Sequence, residues 1–464
     1  MMASMAKGRR LWKTKHLTLR PPCHGGGDGD GDGGHPDWIL VDVQAYIADR
    51  RNATTATAML SNGGHQIQVT ICVAPPPLVS YICAWSPTTH PAELFDTEPT
   101  VEAVDADLLL LRIHVSLNHV HDLVYQASML PSLTLMPSQD PYLHEPNCIA
   151  LIPRSSHGFY ISTLDTDLRS GIGRYNLCLF DSTNSKWSHE SLSLDQLRNP
   201  PDKNEVLHIT EKVITFINDP HLVAFVDLWR GIIICDILDT KTQTASYVPM
   251  LKEIINLRRT RASSITRDIA VVNGRLTVVR LTTVFDPDIN GWDWDLSTWS
   301  RAVDCLEQED WREDSLVEAS DILIDHNICN VELLPKIQGQ PTMAKLHVAL
   351  PTLSLTDAQV VYVMGKVNES DEKAVLLSID MANRRLDAVS VYDAARILHY
   401  FDVCYTQSTI FRYSAPSSGL NGNLKRPGKF PMPYPRKQQA VNEPFLPDAG
   451  RGLETEDRDT MDWE

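Results

Sequence analysis

Between about Pro36 and Tyr413 the chain is a succession of short apolar runs broken by polar turns, and that rhythm limits the available folds more than any other feature. The runs include Trp38–Val43, Gln66–Ala74, Leu108–Val115, Tyr175–Phe180, Leu222–Val226, Ile232–Leu238, Leu276–Leu281, Val360–Met364 and Ala374–Ile379. They are rich in Val, Ile, Leu and Tyr, the side chains that suit a pleated, half-buried surface. Helical spacing is scarce. Leu251–Asn256 and Trp299–Leu306 are the candidates for short helices, with a turn or two at Asp393–His399. Long helices alternating with strands would signal a parallel sheet, and none is read here. The expected class is all-β, mostly antiparallel, with a few short helices.

A hairpin unit recurs inside this region. Leu179-Phe180-Asp181 is followed by five residues and Trp187, and Ile237-Leu238-Asp239 by five residues and Ala245. Val284-Phe285-Asp286 leads in the same way to Trp292, and Ser378-Ile379-Asp380 to Leu386. Physically, a strand leaves the core, an Asp bonds its own turn, and the return strand opens on a packed apolar residue. The Asp residues lie 58, 47 and 94 positions apart, the last being twice 47. Propeller blades recur at roughly 40–50 residues, each a four-stranded sheet. A β-propeller-like architecture is therefore favoured, and two β-sandwich or mixed β domains are the alternative.

The two ends differ from the middle. Residues 1–35 begin with Lys7, Arg9, Arg10, Lys13, Lys15 and Arg20 and continue into a run of almost only Gly and Asp. No apolar stretch follows the charges as a secretory signal requires, and Ser is scarce for an organelle transit peptide. Asp28, Asp30, Asp32 and Gly33 match the opening of a calcium loop. The position that should close it with a carboxylate is Ile39, so a flexible linker is expected instead. Residues 414–464 hold seven prolines, a basic cluster from Lys425 to Lys437 and an acidic end, a composition that buries too little apolar surface to offset chain entropy. The expected organisation is a basic, Gly/Asp-rich arm at 1–35, a β-rich core at 36–413 and a Pro-rich charged tail at 414–464.

Charge and cysteine usage narrow the setting. Lys and Arg total 42 against 59 Asp and Glu, a formal charge of −17. A surface that acidic repels phosphate backbones, which argues against nucleic acid as the main ligand. No run approaches the ~20 apolar residues of a membrane helix, so no membrane association is expected. The nine cysteines are scattered without a C-x-x-C pair, as reduced, buried, small hydrophobes would be. An intracellular location follows, cytoplasmic or nuclear, with organelle transit the weaker alternative.

The chain carries none of the compact motifs of phosphate cradles, dinucleotide folds, serine-nucleophile elbows or zinc-protease helices. His114, His119 and His121 are the densest histidine group, read as surface-loop residues because no further ligand is assignable from spacing. The acidic stretch Glu307–Asp314 reads as a solvated helix end or loop. Trp292 and Trp294 would share one face of a strand with Asp293 and Asp295 on the other, and with Trp299 they suggest an aromatic ladder between strands. No catalytic, cofactor-binding or metal-ligating residue is nominated.

Several strings together resemble the plant proteins defined by domain of unknown function 1618, a group expanded in grasses. The clearest runs from Val226-Asp227-Leu228-Trp229-Arg230-Gly231 through Ile232 to Leu238, followed by Tyr247-Val248-Pro249-Met250, Val272-Asn273-Gly274-Arg275-Leu276 and Trp292 to Ser300. Trp38–Asp42, Asn52–Ala56 and Ala74–Ser80 look like the family's amino-terminal half, and Pro351–Leu355 with Val360–Tyr362 like its carboxy-terminal half. The resemblance divides the core at 36–220, 221–350 and 351–413, and it brings no catalytic residue, cofactor or substrate. In the clearest string Gly231 is expected to form a flexible turn, with Trp229 packing over the sheet end and Arg230 pairing with Asp227 or Asp236. The functional expectation is a non-catalytic protein-interaction scaffold with an unidentified protein partner. The alternative is an enzyme acting on a glycan or small metabolite in a propeller channel, which would bring three or more carboxylates or histidines to one pocket.

Overall fold

The computed structural model describes residues 21–24, 36–60, 64–116, 119–137, 148–154, 158–167, 169–201, 207–216, 219–239, 245–253, 255, 262–287, 291–303, 310–368, 371–395 and 404–410. All lie in the first of two compact units, 1–418 and 419–464. The described strands form six sheets arranged as the blades of a propeller, with a small extra hairpin of Lys336–Ile337 and Gln340–Pro341.

Five blades are four-stranded antiparallel meanders. Blade 2 is Thr100–Asp105, Leu108–Ser116, His119–Gln126 and Ser132–Leu135. Blade 3 is Ala150–Pro153, Phe159–Thr166, Arg174–Asp181 and Lys186–Ser193. Blade 4 is Lys212–Phe216, Asp219–Asp227, Gly231–Asp236 and Ser246–Pro249. Blade 5 is Arg267–Val272, Arg275–Asp286, Gly291–Ala302 and Arg312–Glu318, and blade 6 is His347–Leu353, Val360–Lys366, Lys373–Asp380 and Arg385–Asp393. Blade 1 is composite. Tyr405–Ser408 from the far end of the chain pairs antiparallel with Ile39–Asp42, which lies parallel to Val79–Trp85; Tyr46–Ile47, also parallel to Val79–Trp85, and Gln66–Cys72 and Ala56–Met59 complete the six strands. The closing strand thus joins the two ends of the core, which leaves no open edge between first and last blade.

The apolar runs are continuous because each blade buries both faces. Val223, Phe225, Ile233 and Cys235 of blade 4 pack against blade 3, while Ala224, Val226, Ile232 and Ile234 pack against blade 5. Alternate side chains of one strand therefore enter two different cores. The same holds around the ring: one cluster lies between each adjacent pair of blades, ending with Trp38, Leu40 and Tyr405 against Tyr362 and Met364 of blade 6. The first strands of successive blades touch one another and so line the axis. Tyr405 and Gln407 close that ring by donating to the carbonyls of Leu350 and Leu353 at 3.3 and 3.0 Å.

The structure corrects several expectations. Trp299 lies in the third strand of blade 5, not a helix, and the one described α-helix is Pro91–Leu94. Positions 220 and 350, which bound the segment resembling the family core, lie within the strands Asp219–Asp227 and His347–Leu353. The sandwich alternative gives way to six interlocking sheets. Of the four repeat units, those at Asp181, Ile237 and Asp380 are the third-to-fourth-strand hairpins of blades 3, 4 and 6, whereas the one at Asp286 is the second-to-third hairpin of blade 5. In blade 4 the Asp236 carboxylate accepts from the amides of Leu238 and Asp239 as the chain enters the turn. The arm, its Gly/Asp run and the tail lie outside the described residues, apart from 21–24. There the Tyr81 hydroxyl donates to the Pro22 carbonyl at 2.9 Å and the His24 ring meets the Val79 carbonyl at 2.9 Å.

Candidate functional site at the channel mouth

A cavity of about 230 Å³ opens where the first strands of blades 4 and 5 begin, bounded by blade 6 and the closing strand. Each wall follows from local structure. Lys212, Arg267 and Asp268 are the charged residues that open otherwise apolar first strands, so they sit where the strand leaves the core. On blade 6 the strand His347–Leu353 carries a bulge at Leu350-Pro351, and Leu350 holds the left-handed conformation at φ +55° while buried. A branched-chain residue in that region stores strain that surrounding contacts must offset. Here the Leu350 carbonyl is fixed by hydroxyls of Tyr405 and Thr352.

Across the mouth runs a polar clasp. Lys212 Nζ donates to Asp268 Oδ1 at 2.6 Å and to Gln407 Oε1 at 2.7 Å. Gln407 Nε2 donates to Asp268 Oδ2 at 2.6 Å, and the Leu353 amide donates to the same oxygen at 3.0 Å. Four elements from blades 4, 5, 6 and 1 thus share one buried carboxylate. Glu211, the other acid of the cavity wall, accepts from the Leu228 amide at 3.2 Å.

Arg267 is set differently. It is only 7% exposed. Its Nη1 donates to the Leu228 carbonyl at 2.7 Å, and the guanidinium stacks 3.9 Å over the Trp229 ring. Its Nε is buried with no hydrogen-bond partner, and it has no carboxylate within ion-pair distance among the described residues. Burial, with the neighbouring Arg280 adding repulsion, draws its pKa down to about 10. The hydroxyl of Thr210, another lining residue, is buried without a partner. At the far end of the same strands, Thr215 of blade 4 donates to Asp105 of blade 2, and burial raises the Asp105 pKa to about 6.

The string Asp227–Gly231 forms the second hairpin turn of blade 4 beside this cavity. Asp227 accepts from the amides of Ile209 and Trp229 and pairs with Arg230 at 3.1 Å, as one of the two expected pairings. Gly231 opens the next strand rather than forming the turn, and its confinement comes from Tyr247, whose ring a Cβ would overlap, with Cε2 only 2.8 Å away. The turn supplies the carbonyl and the indole that hold Arg267. Sequence reasoning passed over Arg267, Lys212, Asp268 and Gln407 because their partners are far along the chain; the visible signal was an Arg-Asp pair opening an apolar run.

The residues singled out earlier do not converge. His119 and His121 share a strand and His114 lies on its neighbour, all three within strands rather than loops. No group of three or more potential metal ligands occurs among the described residues. Trp294 faces blade 6 and Trp299 faces blade 4, so they form no single ladder; Trp292 instead stacks on His347 at 3.9 Å. Of the acidic stretch, Glu307 to Gln308 and Glu309 lie outside the described residues, while Arg312–Glu318 is an outer strand, not a helix end. Described cysteines are all free thiols.

A family described as a protein of unknown function (DUF1618) matches residues 225–362, which covers the turn at Asp227, all of blade 5 and the first strand of blade 6. No curated protein matches the chain. Similar solved structures include an uncharacterised protein of Listeria monocytogenes, with 10% identity, 78% of this chain and 84% of that one covered, and a TM-score of 0.29. Others are an alpha-L-arabinanase of Penicillium chrysogenum, with 10% identity, coverage of 78% and 99% and a TM-score of 0.20, and the β-propeller domain of the trilobed protease of Pyrococcus furiosus, with 8% identity, coverage of 67% and 97% and a TM-score of 0.23. No helix among the described residues is long and apolar enough to cross a membrane.

Proposed function

We propose that this chain is a plant member of the DUF1618 family that works as a non-catalytic protein-interaction scaffold in the cytoplasm or nucleus. The observation that carries the reading is the second hairpin of blade 5. Its strands Arg275–Asp286 and Gly291–Ala302 are 12 residues each, and they outrun the first strand, whose Arg267 pairs with Arg280. The overhang projects at the cavity end and leaves Val284 61% and Phe285 48% exposed. Phe285 rests edge-on against Trp292 at 5.3 Å, and Trp292 stacks on His347, so the exposed aromatics are propped against blade 6. Aromatic residues of this kind are favoured at protein interfaces.

The enzyme alternative wants acids free to exchange protons. At the channel mouth Asp268 takes three donors and Glu211 takes an amide, so two carboxylates face the cavity and both are engaged. The test is affinity purification from plant tissue with wild type and a Val284→Ser/Phe285→Ser variant. A stable partner held by the wild type and lost by a variant of unchanged melting temperature is expected. Identical partner sets for the two proteins, or none above the control, would count against the scaffold.

A further inference from the structure

Taking the scaffold reading as given, we propose that its partner docks as an added β-strand on the free inner edge of the blade 5 hairpin, through an extended segment that alternates basic and apolar residues. In Arg275–Asp286 every second residue turns its amide and carbonyl inward, toward the first strand, as the Leu281 amide does in donating to the Thr266 carbonyl at 2.8 Å. Trp292, opposite Phe285 in the register, turns the other way and donates to the Ala344 carbonyl at 2.7 Å. The first strand begins only at Arg267, which pairs with Arg280. The amides and carbonyls of Thr283 and Phe285 therefore face an edge that the first strand does not reach, and they make no hydrogen bond to a described residue. Blade 2 provides the contrast: its second strand also outruns the first, but there the His114 carbonyl accepts from the Asp96 amide at 2.7 Å. A strand edge with free donors and acceptors is a template for another strand.

The two faces beside that edge define the alternation. Phe285 lies on the face toward blade 6, against Trp292 and through it His347. Val284 lies on the opposite face, with Asp293 directly across from it and Asp295 across from Thr282. Val284 and Asp293 are exposed, and Asp295 is half-buried and accepts from the Ser297 hydroxyl at 3.3 Å. Neither acid has an ion pair among the described residues. Arg280 lies one row deeper on this face, with its guanidinium 5.2 Å over the Trp299 ring. An added strand sets successive side chains on opposite faces. Its residues beside Phe285 are apolar, and those beside Val284 are Lys or Arg, whose stems cover Val284 and whose charges reach Asp293 and Asp295. A segment with acids at those positions is repelled.

The test titrates the full-length chain with an end-capped heptapeptide alternating lysine and valine, and with its glutamate–valine counterpart, while following the binding heat and the hydrogen exchange of the Thr283 and Phe285 amides. Saturable binding of the lysine peptide that slows exchange at both amides and weakens with salt is expected, with the glutamate peptide at least about 10-fold weaker. Thr283→Pro removes one inward donor, spares the ladder to the third strand and is tolerated on an open edge. It should cut affinity about 10-fold at an unchanged melting temperature. Asp293→Asn with Asp295→Asn should weaken binding about 3-fold and flatten its salt dependence. No saturable binding, unchanged exchange at the two amides, equal affinity for the glutamate peptide, or full affinity in Thr283→Pro would each overturn the proposal. Should Thr283→Pro fail to fold, exchange in the wild type and the double Asn variant decide it. A tissue partner lost by Val284→Ser/Phe285→Ser but kept by Thr283→Pro would sink strand addition and leave the scaffold standing, which separates the two failures.

Discussion

At Gly231 packing, not backbone freedom, excludes a side chain. Its place after a turn suggested backbone freedom, but it begins a strand and is needed because the Tyr247 ring occupies the space of a side chain. Gly231→Val should destabilise by about 1–3 kcal/mol through overpacking. Chemical denaturation checks this: if Tyr247 is the cause, Gly231→Ala should cost markedly less in a Tyr247→Ala background, and additive costs would remove the explanation. Asp105 gives a pH prediction. Its folded pKa of about 6 lies above its ordinary value of 3.8, so between those values the native state holds more protons than the unfolded one. Stability should therefore fall as pH rises through that window, by at most about 3 kcal/mol, and level off above it. Denaturation across that pH range with wild type and Asp105→Asn tests the sign, since the variant should lose the slope.

Among the elements, the clasp of Lys212, Asp268 and Gln407 ties strands that lie far apart in sequence. It is a partly buried ion pair, with the Lys212 side chain 19% and the Asp268 side chain 11% exposed. Asp268→Asn leaves the ammonium without its counter-charge and should cost about 3 kcal/mol. Replacing both charges while keeping an acceptor for the Leu353 amide, as Lys212→Met with Asp268→Asn, should cost less than that single change. Equilibrium unfolding of the three proteins separates the cases, and a milder Asp268→Asn would mean that the pair contributes little. At the mouth the Asp268 carboxylate is committed to holding strands from four blades together.

For the whole propeller, closure by Tyr405–Ser408 is the step on which the ring depends. A chain ending at 403 removes that strand, its pairing with Ile39–Asp42 and its bonds to Leu350 and Leu353. Such a chain should lose cooperative unfolding, whereas a 21–410 fragment should keep it. A 36–410 fragment loses in addition the contacts of Pro22 and His24 with Tyr81 and Val79, and should be about 1 kcal/mol less stable than 21–410. Calorimetry of the three fragments decides this, and equal stability of the two longer ones would make residues 21–24 dispensable.

The sequence by itself determined the all-β class, the strand positions and much of the hairpin repeat, because these rest on local terms: β-rich runs, Asp-held turns and pairs such as Asn273-Gly274, which occupies left-handed backbone at φ +51° and +73°. It also offered Asp227, three residues away, as one of two partners for Arg230. Only the tertiary structure decided the rest. Apolar runs buried on both faces look alike in a sandwich and a propeller, and the difference lies in which blade each face meets. The composite first blade depends on Ile39 meeting Ser408 across the length of the core. The cavity has the same origin. Lys212, Asp268, Leu353 and Gln407 come from four strands with no shared local pattern, and Arg267 is held by a carbonyl and an indole that lie about forty positions earlier in the chain. Local sequence sets backbone preferences, but which charges become partners and which stay unpaired is fixed when the ring closes and brings those strands to one mouth.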